Sequence, residues 1–194
     1  MPNKKIRIIF VNTVDVPFEI SGGEIVYPQQ HNTGISNDQL NFIANALKID
    51  DTDWGIVFVS HHALQAGATG SSSTENYLDE NMGGAQLLGV ISAFRNKSSY
   101  IYNTSPYNVN VDYSGNGSSE VICMINGHTH NDATDVVDGI RMISTLESSY
   151  AYSSHGRQIG TSSETSWDIY TIDRMNRKIY TTRYGYGSDR IFDY

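Results

Sequence analysis

Four of the six histidines in this chain stand close behind two apolar runs. The runs cover residues 56–59 and 121–125, and the histidines are His61, His62, His128 and His130. Neutral imidazole binds zinc, iron, manganese and nickel, and it is well populated near pH 7. The i, i+2 spacing of the second pair lets both rings point into one site. These residue types at this spacing predict a metal site whose ligands come from the segments that follow both runs.

The other two histidines and the cysteine carry no comparable signal. His31 and His155 lie in polar stretches, where a hydrogen-bonded structural histidine is the more common case. Cys123 is the only cysteine and stands inside an apolar run. This position predicts a buried, unreactive thiol, and a single cysteine excludes a cysteine-rich zinc site.

Apolar runs of strand length must position the histidines. Residues 6–12, 56–60 and 121–125 are predicted to be β-strands, and the last two have the continuous apolar character of strands buried on both faces. Proteins built on sheets often place ligand sites on the loops that follow such strands. We therefore expect the histidines at the exits of two buried strands.

Helix and turn signals complete the set of elements. Ser36, followed three residues later by Gln39, is typical of a capping box and predicts a helix from there to about residue 48. The Asp-Gly pair at 138–139 predicts a tight hairpin turn, because both positions need a positive φ. The other predicted elements are a helix at 84–95 and a hairpin that joins 167–172 to 178–183.

The order of these elements indicates the α/β (α+β) class. Strands first alternate with helices and then follow one another as hairpins, which favours a mixed sheet, or two packed sheets, flanked by helices. A chain of 194 residues has the length of one domain. We expect residues 1–194 to form a single domain.

Composition excludes several classes of function. The chain has 21 Asp+Glu against 13 Lys+Arg, a net charge of -8, so we expect no nucleic-acid-binding patch. No apolar run approaches the ~18 residues of a membrane span, and we expect no membrane partner. Because the N-terminus lacks the features of a signal peptide, the predicted location is cytoplasmic.

Two segments resemble the last two metal-binding motifs of the calcineurin-like metallophosphoesterases. They are Val-Phe-Val-Ser-His-His-Ala-Leu at residues 57–64 and Met-Ile-Asn-Gly-His-Thr-His at residues 124–130. Residues 139–146 and 168–174 are similar to the strand and the closing hairpin that follow in that family. The resemblance implies part of a four-layer αββα sandwich. It also implies hydrolysis of phosphomonoesters or phosphodiesters by a metal-activated water.

The same resemblance implies a role for each histidine. His61 and His128 would bind one ion, and His130 would bind a second ion. His62, next to the first ligand, would face the substrate and could donate a proton to the leaving group. The complete family site holds two divalent transition metals, such as manganese, iron or zinc. Asn126, Asn131 and Asp132 are candidates to orient the rings by hydrogen bonding.

The chain departs from the family pattern in its acidic ligands. The family's Asp-x-His, Gly-Asp-x-x-Asp and Gly-Asn-His motifs are missing from these 194 residues. The chain therefore resembles the C-terminal portion of a phosphoesterase domain. We expect it to bind at most one ion and to hydrolyse phosphodiesters poorly. We also expect either self-association or a separate N-terminal segment that completes the sandwich.

Two other functions remain open from the sequence. The missing acidic ligands suit a non-catalytic structural or interaction module that retains the phosphoesterase scaffold. A metallohydrolase acting on amide or ester bonds is the second alternative. The chain contains neither a His-Glu-x-x-His nor a Gly-x-Ser-x-Gly motif, which argues against that class.

Overall fold

A computed structural model describes residues 5–29, 31–70, 75–148 and 156–194 of this protein. Within these ranges the chain forms two α-helices and twelve strands. The helices are α1 (Asn37–Ala46) and α2 (Gly84–Asn96). The strands are β1 (Ile6–Val11), β2 (Ile20–Ser21), β3 (Glu24–Ile25), β4 (Trp54–Ser60), β5 (Ser99–Thr104), β6 (Tyr107–Asp112), β7 (Ser119–Asn126), β8 (Ala133–Val137), β9 (Ile140–Ser144), β10 (Ser166–Asp173), β11 (Lys178–Gly185) and β12 (Arg190–Asp193).

The central sheet is mixed and has the order β1-β4-β7-β9-β8. Strands β1, β4, β7 and β9 run parallel, and β8 pairs antiparallel with β9. The four parallel strands therefore end at the same edge of the sheet. The loops that follow them, including those with the paired histidines, are brought together there.

One face of the central sheet is covered, and the other is covered in part, because Ile8 and Phe10 of β1 are exposed there. Leu40 and Ile43 of α1 and Leu87 of α2 pack with the β5–β6 hairpin against one face, where Phe58 of β4 points. The neighbouring Val57 points to the other face and packs against the three-stranded sheet β10-β11-β12. Within the described residues this gives three layers: helices, the central sheet and a second sheet. The prediction of a mixed α/β fold with helices outside a mixed sheet is confirmed.

Helix α1 begins as predicted, with one difference at its cap. Gln39 N donates to Ser36 Oγ at 3.1 Å, which is the first half of a capping box. The second half is absent, because Ser36 N donates to Asp15 Oδ2 and the Gln39 amide donates to Asn12 O instead. The cap therefore ties the helix to the loop after β1, a contact that the local pattern could not reveal.

The hairpin predictions are confirmed. Asp138 and Gly139 both have positive φ, 49° and 73°, in the turn between β8 and β9. Strands β10 and β11 form the predicted hairpin and pair across residues 174–177. Cys123 is buried as expected, and burial raises the pKa of its thiol to about 12. The longest described helix has 13 residues, and no helix in the described ranges is both long and apolar enough for a membrane span.

Candidate metal centre

The carboxyl ends of three neighbouring parallel strands supply the candidate site. Thr13 follows β1, His61 and His62 follow β4, and His128 follows β7. These strands are adjacent in the order β1-β4-β7, so residues far apart in sequence meet at one sheet edge. Sites at the carboxyl ends of parallel strands are common in open α/β sheets.

Three histidines form a compact cluster at this edge. One potential ligand atom from each of His61, His62 and His128 lies within 4.8 Å of the others. Their ring centroids are 4.2 to 4.9 Å apart. Nδ1 of His128 lies 3.0 Å from Nε2 of His61. Without an ion, one of these rings can donate a hydrogen bond to the other.

The geometry and charge of the cluster fit a divalent transition metal. Ring nitrogens that share an ion at about 2.1 Å in tetrahedral geometry lie about 3.4 Å apart, close to the spacing between His61 and His128. Burial is the main cause that lowers the pKa of each ring, and neighbouring histidines lower it further. The pKa of His62 is lowered to about 4. All three rings are therefore neutral at pH 7, as ligands must be.

Thr13 holds His62 in place. Its Oγ1 lies 2.7 Å from Nδ1 of His62, and both residues are buried. Because Nδ1 is engaged in this way, Nε2 is the nitrogen that remains for a ligand. The Ser60 hydroxyl also donates to the His62 carbonyl at 2.7 Å. Sequence reasoning missed Thr13, although its position just beyond the first strand was a usable signal.

His130 lies beside the cluster without belonging to it. It lines a cavity of about 420 Å³ together with His61 and His128. Its charge contributes to the lowered pKa of both those rings. The resemblance paired His61 with His128, and the structure brings these two together. The third member of the compact group is His62, whereas His130 forms part of the cavity wall.

The two remaining histidines are His31 and His155. His31 lies 3.2 Å from an oxygen of Glu75, with both side chains mostly exposed, and it is not a member of the cluster. His155 lies outside the described residues.

The backbone around the second histidine motif adopts an uncommon conformation. His128 and His130 have φ of 65° and 54°, and Thr129 N donates to Gly127 O across a three-residue turn. Such positive values are costly for residues with a Cβ and are found preferentially at functional sites. Gly127, which begins this turn, does not itself have a φ in the left-handed region. The strain falls on the histidines themselves.

The residues expected to orient the rings make other hydrogen bonds. Asn126 exchanges hydrogen bonds with the Thr69 hydroxyl, and Asn131 Oδ1 accepts one from Thr129. Asp132 pairs with Arg183 at 2.7 Å. These contacts fix the loops rather than the imidazoles. Thr13 is the side chain that performs the role expected of the three.

Asp168, which lines the cavity, belongs to a buried ion network. Asp168 on β10 accepts from Arg183 at 2.6 Å and from Arg190 at 2.8 Å. The Asp168 and Arg183 side chains are only 1% and 2% exposed. Thr145, which follows β9, also donates to Asp168. This network fastens the second sheet to the loops that carry the histidines, and sequence reasoning missed it.

Comparison with family models, curated proteins and solved structures finds no match to this chain.

Proposed function

We propose that this protein is a metal-dependent phosphoesterase with an ion held by His61, His62 and His128. The observation that carries the proposal is the convergence of three neutral imidazoles from two strand ends. Imidazole ligands suit zinc, iron and manganese. Three protein ligands leave a coordination position for substrate, as in mononuclear catalytic centres.

The resemblance to the calcineurin-like metallophosphoesterases supplies the reaction. In that family the histidines corresponding to His61 and His128 share an ion, and these two rings contact each other here. We assign His130 to the second ion of a complete centre, since it lines the same cavity. The three described layers would then be part of the four-layer αββα sandwich.

The chain's own residues give the cavity its chemistry. A divalent ion in this position would polarise a phosphoryl oxygen and lower the pKa of a bound water. Thr145 and Ser166 line the cavity, but their hydroxyl groups already donate to Asp168 and to the Tyr186 carbonyl oxygen. His62 was expected to act as a proton donor, but it is 5% exposed and bonded to Thr13. Its geometry favours a ligand role instead.

An exposed apolar groove supports the expectation that a further polypeptide segment packs against this protein. The groove has a volume of about 1000 Å³ and lies between the face of β1 and the edge of β10. Ile8 and Phe10 of β1 are 47% and 73% exposed within it. Large exposed apolar surfaces usually contact another polypeptide. We therefore propose that a second copy or an N-terminal segment covers this face and completes the sandwich.

Hydrolysis of bis-p-nitrophenyl phosphate tests the proposed reaction. With Mn²⁺ added, the purified chain should release p-nitrophenol slowly, and EDTA should abolish the release. Turnover should be weak because the described cluster lacks the acidic ligands that support two ions. Matched nitrophenyl esters and anilides serve as controls and should react no faster than without protein.

Two results would contradict this function. Metal binding without turnover of any phosphomonoester or phosphodiester would favour the non-catalytic module. Metal-dependent hydrolysis of the ester or anilide, but not of the phosphates, would favour the alternative metallohydrolase.

Thr13→Val should weaken metal binding about tenfold, because residues that orient a ligating histidine contribute about 10–100-fold to affinity. Valine preserves the shape of the side chain but removes the oxygen that contacts His62 Nδ1. Thr13→Ser keeps that oxygen and should retain most of the affinity. Isothermal titration with Zn²⁺ measures both variants. Equal affinities for the valine and serine variants would show that Thr13 does not position the ring.

A further inference from the structure

Ser144, the last residue of β9, lies between the two ends of the loop that carries the second histidine pair. It is the register partner of Asn126 at the end of β7 and of Ala133 at the start of β8. Residues 127–132 therefore form a loop, called here the histidine loop, whose two ends are both paired with the same residue of β9. Ser144 is fully buried at this position.

The Ser144 hydroxyl holds the middle of the histidine loop. Its Oγ donates to the carbonyl oxygen of Asn131 at 3.0 Å and lies 3.1 Å from the hydroxyl oxygen of Thr129. The Thr129 hydroxyl also contacts Asn131 Oδ1 at 3.2 Å. One buried serine therefore connects the residue between the two histidines with the residue that follows them.

The conformation of the histidine loop needs support of this kind. His128 and His130 both have positive φ, 65° and 54°, and Thr129 stands between them. Residues keep such sparsely populated conformations only where the surrounding structure holds them. In this conformation Nδ1 of His128 lies 3.0 Å from Nε2 of His61. Loss of the Ser144 contacts would therefore release the His128 ring from His61.

The backbone that carries this hydroxyl is itself fixed. The Ser144 carbonyl oxygen accepts from Arg190 Nη1 at 2.9 Å, and Arg190 also pairs with the buried Asp168 of the second sheet. The next amide, Thr145 N, donates to Asn126 O at 3.1 Å. Because both sheets hold Ser144, its hydroxyl can impose a position on the histidine loop.

We propose that Ser144 is a positioning residue for His128, whose ring it brings to His61 by fixing the histidine loop. The inference adds a second positioning residue to Thr13, which holds His62 in the same cluster. The effect of Ser144 on the pair of rings does not require an ion. Its effect on metal affinity rests on the proposed histidine centre.

Nuclear magnetic resonance of the metal-free chain at pH 7 tests the placement of the ring. The imidazole nitrogen resonances of the unchanged protein should show the hydrogen bond between His61 and His128, and His128→Ala identifies this signal by its loss. Ser144→Ala should abolish the signal, whereas Ser144→Thr keeps a hydroxyl and should retain it. Tyr113→Phe is the matched control, because it removes another fully buried hydroxyl, which donates to the Ala44 carbonyl oxygen at 2.8 Å. This control should leave the signal unchanged.

Zn²⁺ titration of the same variants measures the consequence for the proposed centre. Ser144→Ala should weaken binding about tenfold, because residues that orient a metal ligand contribute about 10–100-fold to affinity. Ser144→Thr and Tyr113→Phe should bind Zn²⁺ as tightly as the unchanged protein.

The two measurements separate this inference from the proposed function. If the ring signal responds as expected but the unchanged protein binds no Zn²⁺, the positioning role stands and the metal centre fails. If Ser144→Ala keeps the ring signal, the positioning role is wrong, and the metal centre stands as long as His128→Ala loses Zn²⁺ binding.

Two further results would overturn the positioning role. One is the absence of the ring signal from the unchanged protein, and the other is an equal loss in Ser144→Ala and Tyr113→Phe, which would indicate general destabilisation. If the Ser144 variants fold poorly, Thr129→Val removes the partner hydroxyl and Thr129→Ser retains it. The valine variant should lose the ring signal and the serine variant should keep it, and equal signals would contradict the inference.

Discussion

Replacing His128 with alanine is expected to lower the affinity for Zn²⁺ or Mn²⁺ by more than about a hundredfold. His128 belongs to the compact cluster and also lines the cavity that His130 shares. Loss of a residue that only orients a ligand costs about 10–100-fold, so loss of the ligand itself should cost more. Equilibrium dialysis with metal analysis measures the bound fraction directly.

His31→Ala is the matched control for that experiment. It also removes one imidazole from a loop, but His31 pairs with Glu75 outside the cluster. We expect its metal affinity to be unchanged, and any phosphodiesterase activity to be kept. Retention of full metal binding by His128→Ala would show that the converging imidazoles are a hydrogen-bonded structural group, and the proposed function would then fail.

Asp168→Asn is expected to lower the free energy of unfolding by about 3 kcal/mol. Removing one member of a buried ion pair typically costs about 3–5 kcal/mol, because the remaining charge is left in a poorly solvated environment. Asp132 still contacts both Arg183 and Arg190, which places the expected loss at the lower end. Urea denaturation measures the change, with the exposed Asp50→Asn as a control that should stay within about 0.5 kcal/mol.

The same aspartate predicts a specific pH dependence. Burial by itself would raise the pKa of Asp168, but hydrogen bonds from Arg183 and Thr145 and the two arginine charges lower it below its ordinary value of 3.8. The folded state therefore binds this proton less readily than the unfolded state. The stabilisation is complete above the unfolded pKa and is lost as the pH falls through 3.8 to the folded pKa.

Comparing the unchanged protein with Asp168→Asn isolates the contribution of the Asp168 carboxylate to the free energy of unfolding. Other carboxyl groups with lowered pKa values, such as Asp112 and Asp173, remain in both proteins. The difference in unfolding free energy between the unchanged protein and Asp168→Asn should therefore be constant above about pH 5 and shrink in stronger acid. A difference that stays constant down to pH 2 would show that Asp168 is not stabilised as a charged group.

Local patterns determined much of the fold. The capping serine predicted the start of α1, and the Asp-Gly pair at 138–139 predicted the turn between β8 and β9. The continuous apolar runs predicted β4 and β7, because strands covered on both faces need apolar side chains on both. Each of these signals depends on residues that are neighbours in sequence, so the sequence alone was sufficient.

The candidate site could be foreseen only in part. The two histidine pairs stand out in the sequence because each follows a buried strand. Which three rings converge depends on strand order and on the turn at Gly127, and neither follows from spacing. The turn directs His128 towards His61. The third ring of the cluster is His62, a residue to which the resemblance assigned no role as a metal ligand.

The sequence by itself determined the class of fold, the elements and the histidines available for chemistry, since these follow from periodicity and from residue type. The tertiary structure decided their partners: Thr13 meets His62 across 49 positions, and His128 meets His61 across 67. It also decided that Asp168 is neutralised by Arg183 and Arg190. The charge state of a buried group depends on what packs around it, and adjacent strands bring together residues with no proximity in the chain.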